Sequence, residues 1–184
     1  QAIKIKPDYP LTYNNMGIAL KGKGDLDAAI DSYKIALKIK PDYADAYNNM
    51  GDALREQGEL DAAIDSFTKA LKIKPGYVEA YFNMGTALNG LVFTKPQPDL
   101  LNLILRILEG ANYTRPVYIC KAALSLLKFD SNVKAILDRD AEGKSASPLE
   151  RTISELSKTP LLLKLMEVCP LADLELEALF KDIR

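Results

Sequence analysis

Residues 44–77 read ADAYNNMGDALREQGELDAAIDSFTKALKIKPGY, and residues 10–43 read PLTYNNMGIALKGKGDLDAAIDSYKIALKIKPDY. The two segments are identical at 22 of 34 positions, and Pro7, Pro41 and Pro75 are also spaced 34 residues apart. A repeat of this length is typical of stacked helical hairpins, each too small to bury its own apolar face. The sequence therefore predicts an all-α repeat structure in the first half of the chain.

The sequence pattern of each repeat predicts a helix, a turn and a second helix. Apolar residues recur at helical spacing in two groups, and Gly22 to Gly24 separate these groups in the first repeat. Glycine can take the left-handed conformation that ends the first helix, and Lys40-Pro41 should end the second. Inside the helices, glycines favour close approach of a neighbouring helix despite their low propensity. The positions predicted to pack in the core are Gly17, Gly51, Gly85, Ala29, Ala36, Ala63, Ala70, Tyr13, Tyr33, Tyr47, Phe67 and Tyr81.

The second repeat contains Tyr47-x2-Met50-Gly51-x2-Leu54, followed by Ala63-x3-Phe67 and Pro75. This pattern resembles that of the tetratricopeptide repeat family, W-x2-L-G-x2-Y…A-x3-F…P. The resemblance divides the first domain, residues 1–90, into a partial repeat (1–9), two complete repeats (10–43 and 44–77) and one further first helix (78–90). It implies a right-handed superhelical solenoid. Because the chain opens late in a second helix, we expect it to come from a longer array.

The resemblance also implies that the first helices line a concave groove, which holds a peptide or a helix of a partner protein. The predicted groove residues are Asn14, Ile18, Lys21, Asp45, Asn48, Asp52, Arg55, Glu79, Phe82, Thr86 and Asn89, with a ladder of Asn15, Asn49 and Asn83. Side-chain amides donate and accept, so the ladder suits the backbone of an extended chain. The alternative is that these asparagines tie adjacent helices together.

Acidic groove residues bear on the kind of partner. Some family members bind C-terminal carboxylates through Lys and Arg on these faces, whereas this chain has Asp45, Asp52 and Glu79. The acids argue against a carboxylate clamp and favour a partner with basic side chains. The alternative is a charged surface that only water contacts.

Residues 91–184 predict a second, non-repeating helical region. An insertion, Leu91 to Gln97, breaks the register, and a helix is expected over Pro98 to Glu109. Thr159-Pro160 is a typical helix start. We expect a bundle of about five helices, the last from Leu171 to Ile183, that caps the solenoid. Residues 157–184 resemble the helical connector that joins tetratricopeptide repeats to a methyltransferase domain in some bacterial proteins. This resemblance implies that any catalysis lies beyond Arg184.

Composition bears on catalysis and compartment. The sequence has no histidine, which excludes Ser-His and Cys-His pairs and histidine metal ligands. It also lacks a glycine-rich phosphate loop, so we predict no enzyme activity, cofactor or metal site in this chain. Cys120 and Cys169 lie in apolar helical patterns and are interpreted as small buried hydrophobes rather than a disulfide or ligand pair. This interpretation favours a reducing, cytoplasmic location.

Charge and hydropathy bear on the partner. Lys and Arg total 24 against 25 Asp and Glu, without a basic stripe, so neither nucleic acid nor membrane is expected as a partner. The predicted function is a protein–protein interaction scaffold, or adaptor. One alternative is the substrate-targeting arm of a larger methyltransferase. The other is self-association into a homo-oligomer through an open solenoid end that exposes Ile3, Ile5 and Leu11.

Overall fold

The computed structural model describes residues 9–89, 91–109, 116–131, 133–134 and 158–168. Every regular element in these ranges is an α-helix, which confirms the all-α prediction. The helices are α1 (Pro10–Gly22), α2 (Leu26–Ile39), α3 (Ala44–Gln57), α4 (Leu60–Ile73), α5 (Val78–Ala87), α6 (Pro98–Glu109), α7 (Pro116–Leu127) and α8 (Pro160–Val168). The chain divides between Ala87 and Leu88 into two compact units.

Glycine and proline set the helix ends in the first unit. Gly24 and Gly58 have φ angles of 82° and 85°, so both take the left-handed conformation predicted for the turn between the two helices of a repeat. The second helices α2 and α4 stop one residue before Lys40-Pro41 and Lys74-Pro75. Asp25 caps α2, because its side chain accepts a hydrogen bond from the Ala28 backbone N–H. The predicted helix–turn–helix unit is confirmed in both repeats.

Within each repeat, a helical glycine lies against an aromatic ring. A Cβ atom built on Gly17 would be 2.5 Å from Tyr33 Cε1, and one built on Gly51 would be 2.7 Å from Phe67 Cε1. Both rings are completely buried. Since real Cβ atoms do not approach other atoms this closely, the predicted close approach of the helices is confirmed at both positions. Four alanines at the same crossings, Ala29, Ala36, Ala63 and Ala70, are also completely buried.

The helices of the first unit pack in sequence. Helix α1 packs against α2, α2 against α3, α3 against α4, and α4 against α5. Helix α3 also contacts both α1 and α5, so the first helices of the three repeats lie side by side. This arrangement brings the predicted groove residues onto one surface.

The second unit contains α6, α7 and α8, which all contact one another. Its core consists of aliphatic side chains, among them Ile104 on α6, Leu126 on α7 and Leu162 on α8. The loop before α6 is held to α7, because the Phe93 N–H donates to the Ser125 hydroxyl at 2.9 Å. The predicted helix over residues 98–109 and the helix start at Pro160 are confirmed.

The interpretation of Cys120 as an unpaired thiol is wrong. Cys120 is 3% exposed and disulfide-bonded. Helical spacing indicates that a residue is buried, but it carries no information about which side chain lies opposite, and a disulfide can be as buried as a thiol. Other predictions lie outside the described residues: those for Cys169, for residues 1–8 of the partial repeat and for the final helix over residues 171–183.

Candidate functional site

Twelve of the predicted groove residues on α1, α3 and α5 define the surface that we call the groove face. Six are exposed, namely Asn15, Ile18, Asp45, Glu79, Phe82 and Thr86. Asn49, Asp52, Arg55 and Asn83 are half-buried. Asn14 and Asn48 are buried, at 4% and 1% exposure. The prediction of exposure is therefore wrong for these two residues, and the cause is the contact each makes with the following repeat.

Asparagine side chains join successive repeats. Asn49 Nδ2 donates to Asn14 Oδ1 at 3.0 Å, and Asn83 Nδ2 donates to Asn48 Oδ1 at 3.1 Å. In each pair, the donor occupies the repeat position of Asn15 and the acceptor occupies the position of Asn14, one repeat earlier. The geometry favours the alternative in which these four asparagines tie adjacent helices together. Asn15 begins the series and is exposed.

An ion network joins α1 to α3 on the groove face. Lys21 forms ion pairs with Asp52 and, at 3.0 Å, with Glu56, while Arg55 pairs with Asp52 at 2.6 Å. Two cations and two carboxylates neutralise one another here. Sequence analysis predicted Lys21, Asp52 and Arg55 as separate groove residues and missed Glu56.

These ion pairs shift the pKa values of the groups involved. Burial alone would lower the pKa of Lys21, but the hydrogen bonds and charges of Asp52 and Glu56 outweigh burial and raise it. Burial alone would raise the pKa of Asp52, but Lys21 and Arg55 outweigh it and lower the pKa. Both groups are therefore held in their charged forms near neutral pH, and this part of the groove face carries little net charge.

A second polar cluster joins α3 to α5 and is acidic. Asn48 Nδ2 donates to Glu79 Oε1 at 3.4 Å, and the Tyr77 hydroxyl lies close to the Asp45 carboxylate. Burial and then the charge of Asp45 raise the pKa of the Tyr77 hydroxyl, so the phenol stays protonated and remains a donor. Within residues 9–89, neither Asp45 nor Glu79 forms an ion pair with Lys or Arg. The two carboxylates leave this end of the groove face negatively charged.

Apolar side chains on the groove face are also exposed to solvent. Phe82 is 55% exposed and lies one helical turn after Glu79, on the same side of α5. It occupies the position that Asn14 and Asn48 occupy in the two preceding repeats, so it ends the asparagine pairing. Ile18 on α1 is 49% exposed. The groove face thus combines fixed polar groups with exposed apolar side chains that a partner can bury.

The missed contacts have a signal in the sequence. Lys21 meets Asp52 and Asn48 meets Glu79, and both pairs are separated by 31 residues. A search for complementary polar residues at this separation, three short of the repeat length, would have paired them. Tyr77 has no such signal, because it lies in the turn before α5.

In the described part of the chain, no three His, Cys, Asp or Glu side chains are grouped so that they could hold a metal ion. None of the helices described above is long and apolar enough to cross a bilayer.

Comparison with known families gives a match in the first unit. Residues 14–78, from α1 to the start of α5, match the family model for the tetratricopeptide repeat. The search of curated proteins found no match, and nothing in these comparisons confirms the resemblance of residues 157–184 to a methyltransferase connector. Tetratricopeptide repeats generally mediate protein–protein interaction. Together with the hairpins α1–α2 and α3–α4, the match identifies residues 14–78 as a tetratricopeptide repeat segment.

Proposed function

We propose that the groove face binds a segment of a partner protein and that the segment places a Lys or Arg side chain between Asp45 and Glu79. The observation that carries this proposal is the exposed acidic cluster. Asn48 donates to the Glu79 carboxylate and the Tyr77 hydroxyl lies close to the Asp45 carboxylate, but neither carboxylate pairs with a cation within residues 9–89. Donors that hold a carboxylate in one place reduce the entropy lost when a ligand binds.

The rest of the groove face supports the same kind of partner. The Lys21–Asp52–Arg55–Glu56 network has no net charge, so it attracts neither basic nor acidic side chains of a partner. An apolar side chain next to the basic one would bury part of Phe82, which is 55% exposed. A segment with adjacent basic and apolar side chains therefore complements both features.

The test is binding of the full chain to an array of random-sequence peptides. We expect the bound peptides to be enriched in Lys and Arg. The double variant Asp45→Asn with Glu79→Gln should bind them roughly fivefold more weakly, since two partly exposed ion pairs contribute about 1 kcal/mol in total. Asp61→Asn, which removes an exposed acid on α4, is the matched control and should change nothing. Enrichment that is absent, or that survives the double variant, would contradict the proposal.

A further inference from the structure

Helices α2 and α4 form the two walls of a cleft whose floor is α3. We call it the α2–α4 cleft. Its volume is about 490 Å³, within the range of roughly 300–1,000 Å³ that ligand sites occupy. Ile30, Met50 and Leu54 supply its apolar surface, and Ala62 lines the α4 wall. Met50 and Leu54 are only partly buried, so an occupant would remove further apolar surface from water.

This cleft and the groove face lie on opposite sides of α3. Met50 is two residues from both Asn48 and Asp52, which corresponds to roughly 200° around an α-helix. Asn48 and Asp52 belong to the groove face, whereas Met50, Leu54 and Gln57 face the cleft. One partner segment cannot occupy both surfaces at the same point, so the cleft is a separate site.

The charged groups on each wall are paired along their own helix and do not bridge the cleft. Lys34 pairs with Asp31 on α2 at 3.2 Å, and Lys69 pairs with Asp65 on α4 at 2.6 Å. These pairs follow the ordinary spacing of three or four residues along a helix. The walls are therefore neutralised without closing the space between them.

One carboxylate at the edge of the cleft has no cation. Asp27 accepts a hydrogen bond from Gln57 Nε2 at 2.6 Å, and it forms no ion pair within residues 9–89. The lining holds three carboxylates and two lysines, so it has one negative charge in excess. The Asp27 carboxylate lies beside the apolar floor of the cleft, where its hydrogen bond with Gln57 joins α2 to α3.

We propose that the α2–α4 cleft is a second docking site, which takes an apolar side chain of a partner protein together with an adjacent Lys or Arg. The apolar side chain lies on Met50 and Leu54, and the cation pairs with Asp27. Because the cleft is bounded by two walls and a floor, its occupant keeps one side in solvent. This geometry suits a side chain that projects from a larger molecule better than a free small molecule, which sites usually enclose.

The experiment is a nuclear magnetic resonance titration of the full chain with N-acetyl-Leu-Lys-amide, which carries the two features required. The methyl signals of Ile30, Met50 and Leu54 report on the cleft. We expect them to shift at millimolar probe. N-acetyl-Leu-Glu-amide should bind about threefold more weakly, since it exchanges an attractive surface charge for a repulsive one. Asp27→Asn should remove this preference. Absent methyl shifts, or equal affinity for the two probes, would overturn the proposal.

A blocking variant tests the location of the probe. Ala62→Phe places a ring in the cleft from an exposed wall position and should abolish the methyl shifts. Ala28→Phe is the matched control, because Ala28 holds the same repeat position 34 residues earlier and does not line the cleft. Circular dichroism of each variant checks that it is folded. Methyl shifts that persist in Ala62→Phe would overturn the assignment of the probe to the cleft. Methyl shifts on simple dilution without probe would also overturn it, because they would identify a second copy of the chain as the occupant.

Discussion

Replacing Asn49 with alanine should loosen the junction between the first two repeats. The substitution removes the amide that donates to Asn14 Oδ1 at 3.0 Å. Asn14 is 4% exposed, so its oxygen has little access to water as a replacement donor. A buried acceptor left without a donor costs about 1–3 kcal/mol. Alanine returns up to about 0.7 kcal/mol through its higher helix propensity, and we therefore expect a net loss of about 1–2 kcal/mol.

Amide hydrogen exchange of the full chain locates this loss. Stacked repeats are stabilised mainly by contacts between neighbours, so the hairpin of α1 and α2 should open more often when its junction with α3 is weakened. A loss of about 1–2 kcal/mol corresponds to exchange that is roughly 5–30 times faster in α1 and α2. Helices α6 and α7, in the second compact unit, supply the internal reference and should keep their rates.

The controls separate the hydrogen bond from the substitution itself. Asn15→Ala changes the neighbouring residue of α1, which is exposed, and should alter stability by less than about 0.5 kcal/mol. In the double variant Asn14→Ala with Asn49→Ala, neither partner remains unsatisfied, so its cost should be smaller than the sum of the two single costs. If the amides of α1 and α2 exchange at the same rates in Asn49→Ala and in Asn15→Ala, the asparagine pair does not hold the repeats together.

Two further predictions concern packing and pH. Gly51→Ala should destabilise the chain by about 1–3 kcal/mol in urea unfolding, because its Cβ would lie 2.7 Å from Phe67 Cε1. The control Gly22→Ala, whose Cβ would have no atom within 4 Å, should stabilise the chain by up to about 1 kcal/mol. A loss of stability in both variants would refute the packing argument. Burial alone would raise the pKa of Asp52, but its cationic partners lower it below 3.8. The ionised Asp52 therefore stabilises the fold above pH 3.8, and this contribution is lost as the pH falls through the lowered pKa. Asp52→Asn should be less stable than wild type at pH 7. A stability difference between the two that persisted at the most acidic pH would contradict this assignment.

The helix ends of the first unit could be predicted because local chemistry sets them. Gly58 ends α3 through its left-handed conformation, and the Lys-Pro pairs end α2 and α4, since a residue before proline avoids the helical conformation. The core positions followed from helical periodicity, as the complete burial of Tyr33 and Phe67 illustrates. These properties depend on residues close together in sequence.

The partners on the groove face could not be predicted in the same way. Whether Asn49 reaches Asn14, or is left free for a ligand, depends on the rotation and separation of the two packed helices, which residues close together in sequence do not determine. The same rotation brings Lys21 to Asp52 and Glu56. Repeat spacing alone aligns residues 34 apart, whereas the observed polar contacts join residues 31 and 35 apart.

Comparison between repeats indicates which groove-face positions select the partner. The contact between neighbouring repeats recurs, so positions that serve it should be the same in each repeat. Asn49 and Asn83 meet this condition, and both donate to the preceding repeat.

A partner is not periodic, so positions that contact it are free to differ. The position of Asp45 is Leu11 in the first repeat and Glu79 in the third. Leu11 is exposed, as are Asp45 and Glu79. At this position the groove face therefore changes from apolar on α1 to acidic on α3 and α5. An extended segment bound across it should place an apolar side chain over Leu11 and basic side chains over Asp45 and Glu79, which gives the segment one preferred direction.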